Sequence, residues 1–317
     1  MSLPLSATPG NARSKVSRVR ALITGGQGFV GHHLEQHLVA NGDDVVSLDL
    51  ETDVTDVESV GAAITRAKPD VIYHLAALSH VGDSWSDPSK VLTVNIIGTA
   101  NVLAGARRLD GDPMIVVVSS AEVYGIVSPE ELPLKETSPI APASPYAASK
   151  AAAEQVALQA ARGFDQRVVV VRPFNHVGPG QAPIFAVPAL AKRILEATAT
   201  GAKHLDVGNL STRRDFTDVR DVVRAYRALA TSGISGEIYN VASGVDVSIQ
   251  EIVDRLLVIA GASLECVLDP ALFRPVDVPV LRGNFDRLHE ATGWLPEIPL
   301  EQTLRDVMSY FAAQQSP

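Results

Sequence analysis

Along the first half of the chain, apolar residues fall into two kinds of stretch. Short, mainly apolar runs at 19–24, 45–48, 71–75, 114–119 and 168–171 read as strands, the first of them, stopped by glycines, as a buried parallel strand. Between them, at 28–41, 57–68, 89–109 and 144–162, apolar positions recur at helical spacing. In the first of these, Val30, Leu34, Leu38 and Val39 share one face, and Asn41-Gly42 supplies a helix stop. Strand and helix alternate throughout, which calls for an α/β fold, a parallel sheet with helices on both faces.

After Arg172 the regularity weakens. Residues 173–217 are richer in Pro, Gly and Asn, with one helical stretch at 187–199. A strand at 237–241 is expected to return to the sheet, and helices follow at 249–260 and 300–311. These pieces are expected to form a smaller C-terminal lobe that caps the edge where the strands end. Residues 1–17 are small and polar, lack the apolar run of a secretion signal, and are expected to be a disordered tail.

Composition narrows the function. A chain of 317 residues, 46% hydrophobic, can fill two unequal cores. Its net charge of −9, with no block of like charges, argues against a nucleic-acid partner. No apolar run reaches the roughly 18 residues of a membrane span, so no membrane partner is expected. The single cysteine, Cys266, leaves no intrachain disulfide and no multi-cysteine metal site; no metal and a reducing, cytoplasmic setting are expected.

Candidate chemistry begins where the first strand ends. Thr24-Gly25-Gly26-Gln27-Gly28-Phe29-Val30-Gly31 is a G-x-x-G-x-x-G loop between a strand and a helix. Gly25 permits the tight turn, Gly28 lets backbone approach a pyrophosphate, and Gly31 lets the helix pack close to the sheet. Gln27, Phe29 and Val30 complete the turn, where free N–H groups and the helix dipole favour an anion. This reads as a Rossmann-type dinucleotide-binding unit. Asp49 ends the second strand, 18 residues after Gly31. An acidic group there accepts hydrogen bonds from the adenosine ribose and repels a 2′-phosphate, which favours NAD(H) over NADP(H) unless Arg66 lies close enough to offset it. Asp53 and Val54 are spaced to meet the adenine. Leu75, Ala76 and Ala77 leave room for a flat ligand over the third strand, and His74 reads as a structural strand residue.

A second constellation lies downstream. In Tyr146-Ala147-Ala148-Ser149-Lys150, Tyr and Lys are four apart, on one helical face. An ammonium beside a phenol is expected to lower its pKa from about 10 towards the working range of an acid–base group. Ser119-Ser120 ends the fourth strand, where an α/β ligand crevice opens, and Ser120 can share a proton with Tyr146.

With these residues in place the chain resembles the extended short-chain dehydrogenase/reductases that act on nucleotide sugars, from about Val19 onward. The segments that carry the likeness are TGGQGFVG, HLAALSHV, Asn95-Ile96-Ile97-Gly98-Thr99, SSAEVYG, YAASK and RPFN. Within that class it is most similar to reductases of GDP-4-keto-6-deoxy-D-mannose, which form GDP-D-rhamnose. The stretches behind this are 172–181, Gly208-Asn209-Leu210, 214–221 and Leu272-Phe273-Arg274-Pro275.

The resemblance implies residue roles. Ser120, Tyr146 and Lys150 form the catalytic core, and Lys150 also holds the nicotinamide ribose. Pro173 packs on the nicotinamide. Arg214 and Arg274 clamp the substrate diphosphate, Asn175 contacts the sugar nucleotide, and Ser79 and His80 border the sugar pocket. GDP is the favoured base, with dTDP the alternative, and a homodimer through helices 89–109 and 144–162 is expected. The dinucleotide unit is then 18–172 with 214–243, and the sugar-nucleotide unit 173–213 with 244–317. Related dehydratases pair an acid or hydroxyl residue with a glutamate after the catalytic Ser/Thr. Here Ala121 precedes Glu122, so Glu122 stands alone and C4 reduction is favoured. The alternatives are a 4,6-dehydratase or 4-epimerase and, in another class, a dinucleotide-binding regulator without chemistry.

Overall fold

The computed structural model describes residues 18–273 and 278–315. It opens with β1 (Arg20–Thr24), α1 (Phe29–Ala40), β2 (Asp44–Leu48), α2 (Val57–Ala67) and β3 (Val71–His74). The helix expected as one piece forms instead as α3 (Pro88–Leu92) and α4 (Gly98–Ala106), joined by a π-helical turn at Thr93–Ile97. β4 (Met114–Val118), α5 (Pro145–Phe164) and β5 (Val168–Pro173) follow. Then come β6 (Asn175–Val177), α6 (Ala186–Thr200), β7 (His204–Val207), β8 (Arg213–Asp218), α7 (Val219–Ser232) and β9 (Ile238–Val241). The last part holds β10 (Asp246–Ser248), α8 (Ile249–Ala260), β11 (Glu265–Leu268), β12 (Val280–Leu281), α9 (Asp286–Thr292) and α10 (Leu300–Gln315).

β2-β1-β3-β4-β5-β9 form a six-stranded sheet, parallel at every pairing. As expected, 237–241 returns to it, as the edge strand β9 beside β5. The chain passes from β1 to β2 and then back across to β3, so the strand order reverses beside β1. A crevice opens there, beyond the carboxyl ends of β1 and β3. Leu34, Leu38, Val222, Tyr226, Leu288 and Trp294 from α1, α7 and the α9 region cover one face. Ile64, Val102, Ala157 and Leu158 from α2, α4 and α5 cover the other.

A second core gathers Leu190 and Ile194 of α6, Ile252 and Leu256 of α8, and Leu304 and Phe311 of α10. This lobe contains strands that hydrophobic patterning did not reveal. β10 lies antiparallel to β8, β12 and β6 pair with β8 in parallel, and β11 pairs with β7.

The expected boundaries shift in two places. β8 was expected within the sheet-bearing unit from residue 214, but it pairs only in the second lobe, and the sheet-bearing part resumes at α7. Residues 286–294, expected in the second lobe, bring Leu288 and Trp294 into the first core. Among the described residues, no helix is long and apolar enough to cross a membrane.

Candidate active site

The glycine loop is shaped by its own backbone. Gly25 has φ +74°, and a Cβ there would lie 2.9 Å from the Ala76 nitrogen. A Cβ on Gly31 would collide with the Gly25 and Gly26 carbonyl oxygens. α1 therefore starts hard against the β1 turn, and Gly28, its N-cap, offers no side-chain cap to the first N–H groups. An uncapped helix start facing a crevice suits a pyrophosphate. Asp49 lies beside the loop, its Oδ2 accepting the Gln27 N–H at 3.2 Å. Arg66 sits in the last turn of α2. Asp53 Oδ1 accepts the Thr55 N–H and hydroxyl, both at 2.8 Å, so part of its carboxylate is engaged in its own turn. Val54 packs against Gly98 at the start of α4.

The end of β3 is fixed by a neutral histidine. Thr99 Oγ1 donates to the Asn95 carbonyl at 2.7 Å. His74 Nε2 therefore donates to Thr99 at 3.0 Å, while Nδ1 accepts from Thr24 at 2.8 Å. Burial and the nearby Lys150 push His74 down to about 3, in keeping with a structural role. Leu75 and Ala76 follow with their N–H groups on the Thr24 carbonyl and hydroxyl, at 3.1 and 3.3 Å, and Ala77 continues the turn. Asn95, in the π-turn, has its Oδ1 on the Leu78 N–H at 2.8 Å and its Nδ2 on Ser149 Oγ at 2.8 Å. The segment after β3 is thereby tied to α5. Sequence reasoning noted the Asn95 motif but gave the residue no role, because an extra residue in one helical turn leaves no mark on hydrophobic spacing.

α5 starts at a Ser144 N-cap, whose hydroxyl accepts the Ala147 N–H at 3.1 Å, with Pro145 in the first turn. This cap sets Tyr146 in the first turn of α5 and Lys150 one turn further along. The Ser120 hydroxyl lies near enough to the Tyr146 phenol to pull its pKa down, and Lys150 Nζ donates to the Val118 carbonyl at 2.7 Å. Ser120 also caps the 3-10 turn Ala121–Tyr124, accepting the Glu122 N–H at 3.2 Å. The structure thus brings Ser120, Glu122, Tyr146 and Lys150 together.

The electrostatics differ from expectation. Burial pushes the Tyr146 phenol up to about 12; the Ser120 hydroxyl opposes this, and the Glu122 charge adds to it. Burial also brings Lys150 down to about 8, against the pull of Glu154. The expected lowering of Tyr146 by Lys150 is not realised, because burial dominates and the ammonium is directed at Val118. The phenol is held protonated, ready to donate.

The residues expected about the nicotinamide and the sugar nucleotide are spread along the chain. Pro173 ends β5 and is buried, and Asn175 starts β6. The following loop turns back onto α1: His33 Nε2 hydrogen-bonds the Pro179 carbonyl at 2.9 Å, and Phe29 stacks on His176 at 6.2 Å. Ser79 is exposed; His80 meets Asp83 at 3.0 Å and packs edge-on against Phe185 just before α6. Arg214 is buried in β8, with Nη1 on the Arg213 carbonyl at 2.9 Å. Its neighbour Asp215 accepts instead from Ser243, Gly244 and Gly283. Arg274, the second expected clamp, lies outside the described residues.

Residues 48–307 match the family model described as GDP-mannose 4,6 dehydratase. The chain belongs to that family of extended short-chain dehydrogenase/reductases. It is 38% identical to the GDP-6-deoxy-D-mannose reductase of Pseudomonas aeruginosa, over 92% of this chain and 96% of the relative. A solved structure of RMD from Pseudomonas aeruginosa complexed with NADPH superposes with a TM-score of 0.85 at 37% identity, over 93% of this chain and 99% of that one. A Thermus thermophilus UDP-glucose 4-epimerase in complex with NAD gives a TM-score of 0.83 at 29% identity, over 94% of this chain and all (100%) of that one. The family member described here is therefore an oxidoreductase-type enzyme of the nucleotide-sugar class, with its Ser, Tyr and Lys at one crevice.

Proposed function

We propose that this enzyme reduces the C4 ketone of a nucleotide-linked 4-keto-6-deoxyhexose, with GDP-4-keto-6-deoxy-D-mannose as substrate and GDP-D-rhamnose as product. The observation that carries the reading is the gathering of Ser120, Tyr146 and Lys150 where β4 ends against α5, with a buried alanine at position 121. The 38% identity to a GDP-6-deoxy-D-mannose reductase points to the same substrate.

A reduced nicotinamide bound on the glycine loop supplies the hydride. Tyr146 gives its proton to the developing alkoxide at C4 and Ser120 holds that oxygen by a hydrogen bond. Lys150 carries a positive charge one helical turn from the phenolate that results. Arg214 and Arg274 grip the diphosphate, with Asn175, Ser79 and His80 about the sugar. The loop residues 25 and 27–31, together with Asp49, Asp53, Val54, Leu75, Ala76, Ala77 and Pro173, hold the dinucleotide. NAD(H) is the preferred cofactor, because Asp49 presents a carboxylate where NADP(H) carries its 2′-phosphate.

The enzyme works in the cytoplasm as a homodimer. Leu92 and Ile97, 38% and 47% exposed beside α5, supply apolar surface for the pairing. A monomer in light scattering at micromolar concentration would remove that part of the proposal.

Stoichiometry tests the main reading. With GDP-4-keto-6-deoxy-D-mannose, one reduced nicotinamide should disappear per product, with transfer of label from C4-deuterated NADH to the sugar C4. The rival dehydratase or epimerase reading draws on Glu122, whose charge reaches Tyr146. Turnover of GDP-mannose alone, with no net nicotinamide consumed, would establish that rival and sink the reductase.

A further inference from the structure

Three consecutive residues at the end of β4 are bound to three turns of α5. The Val118 carbonyl accepts from Lys150, Ser119 Oγ donates to the Glu154 carboxylate, and Ser120 meets Tyr146. Tyr146, Lys150 and Glu154 recur every four residues on one face. The first two belong to the chemistry above. Glu154 has no assigned part, yet its side chain is completely buried (0% exposed).

Arg172, near the end of β5, forks onto Glu154, with Nε on Oε1 at 2.9 Å and Nη2 on Oε2 at 2.7 Å. Its Nη1 reaches the Tyr124 hydroxyl at 3.1 Å and the Glu136 carbonyl at 3.2 Å. Tyr124 in turn donates to Asn240 Oδ1 at 2.7 Å. Tyr124 closes the 3-10 turn that Ser120 opens. The pair therefore grips that turn at both ends, through Ser119 in front and Tyr124 behind, with Glu122 between them. Desolvating two charges costs more than an exposed pair would return, and apolar residues of like volume often serve stability as well. Geometry is what a bidentate ion pair adds here.

We propose that Glu154 and Arg172 are positioning residues of this enzyme, holding the Ser119–Ser120 peptide and the 3-10 turn in register with Tyr146 and Lys150. Glu154 also lies one turn beyond Lys150, and its carboxylate favours the charged form of that ammonium. The other titratable or charged groups around this cluster are Tyr146 on the same helix, Glu122 and Tyr124 on the turn, Arg172 on β5, Glu136 beyond Tyr124, Tyr226 on α7 and the neutral His74 on β3. The inference rests on the reductase reading for its turnover readout; NADH binding is measured without any sugar.

Two variants test it. Ser119→Ala cuts the link to Ser120 and leaves the ion pair whole. It should lower kcat about 3- to 10-fold, with KM and NADH affinity within about twofold of wild type. Glu154→Gln should move the alkaline limb of kcat, and that of NADH affinity by fluorescence, down by about half a pH unit or more. A role in stability alone would leave the limb in place. Wild-type kcat in Ser119→Ala together with an unmoved limb in Glu154→Gln overturns the proposal. If Glu154→Gln does not fold, wild-type kcat in Ser119→Ala does so alone. If the wild-type enzyme consumes no NADH with the GDP keto sugar, the reductase reading falls, and the NADH-affinity limb of Glu154→Gln still decides this one.

Discussion

Tyr146→Phe removes one oxygen from the centre of the proposed chemistry. Tyr146 is only 7% exposed, and its phenol is near the Ser120 hydroxyl. A positioned general acid contributes about 10²- to 10⁴-fold to the rate. At roughly 1.4 kcal/mol per factor of ten, the barrier should rise by about 3 to 5.5 kcal/mol. The folded state should change far less. One net hydrogen bond contributes about 1 kcal/mol, and the same substitution removes a hydroxyl that had to be desolvated, so Tm should move by a few degrees at most. The glycine loop and Lys150 are untouched, and NADH should bind within about threefold of wild type. The assay is nicotinamide absorbance with the keto sugar nucleotide, alongside NADH fluorescence titration and a thermal melt. Turnover within tenfold of wild type, in a folded variant that binds NADH, would refute the assignment of Tyr146 as proton donor.

Gly31→Ala should abolish NADH binding by fluorescence, because its methyl group collides with the Gly25 and Gly26 carbonyls and pushes α1 off the sheet. Asp49→Asn should raise the ratio of kcat/KM for NADPH over NADH about tenfold or more, since a repelling charge is removed; an unchanged ratio would count against the cofactor preference. Arg214→Gln should raise KM for the nucleotide sugar about 10- to 100-fold while NADH affinity holds, in initial-rate measurements. The kcat profile should be flat below about pH 8 and fall as pH rises through that value, because Lys150 loses its proton there while Tyr146, pushed up to about 12, keeps its own. A fall towards acid instead would contradict the sign of this argument.

Legibility followed apolarity. The first five strands are mainly apolar, and their order with the intervening helices carried the parallel sheet and the crevice at its carboxyl edge. Ser120, Tyr146 and Lys150 were readable because strand end and helical spacing place them before any coordinates are known. β8 was not: its sequence is Arg213-Arg214-Asp215-Phe216-Thr217-Asp218, and charged residues that become buried look like a surface loop. Glu154 and Arg172 were hidden for the same reason, each charge being unremarkable until the fold points them at one another. The acidity of Tyr146 was misjudged because spacing shows that Lys150 is near but says nothing of how thoroughly water is excluded.

The order in which the two cores draw on the chain has a practical result. The sheet-bearing core takes α7, β9 and the Leu288–Trp294 region from beyond β8, so the polypeptide leaves that body, builds part of the other, and comes back more than once. A fragment stopped at Pro173 would lack its edge strand and bare the apolar underside that Val222 and Tyr226 cover. No single scission can separate the two cores. Exchanging one specificity for another in this scaffold is therefore a matter of grafting loops onto an intact chain, not of shuffling halves.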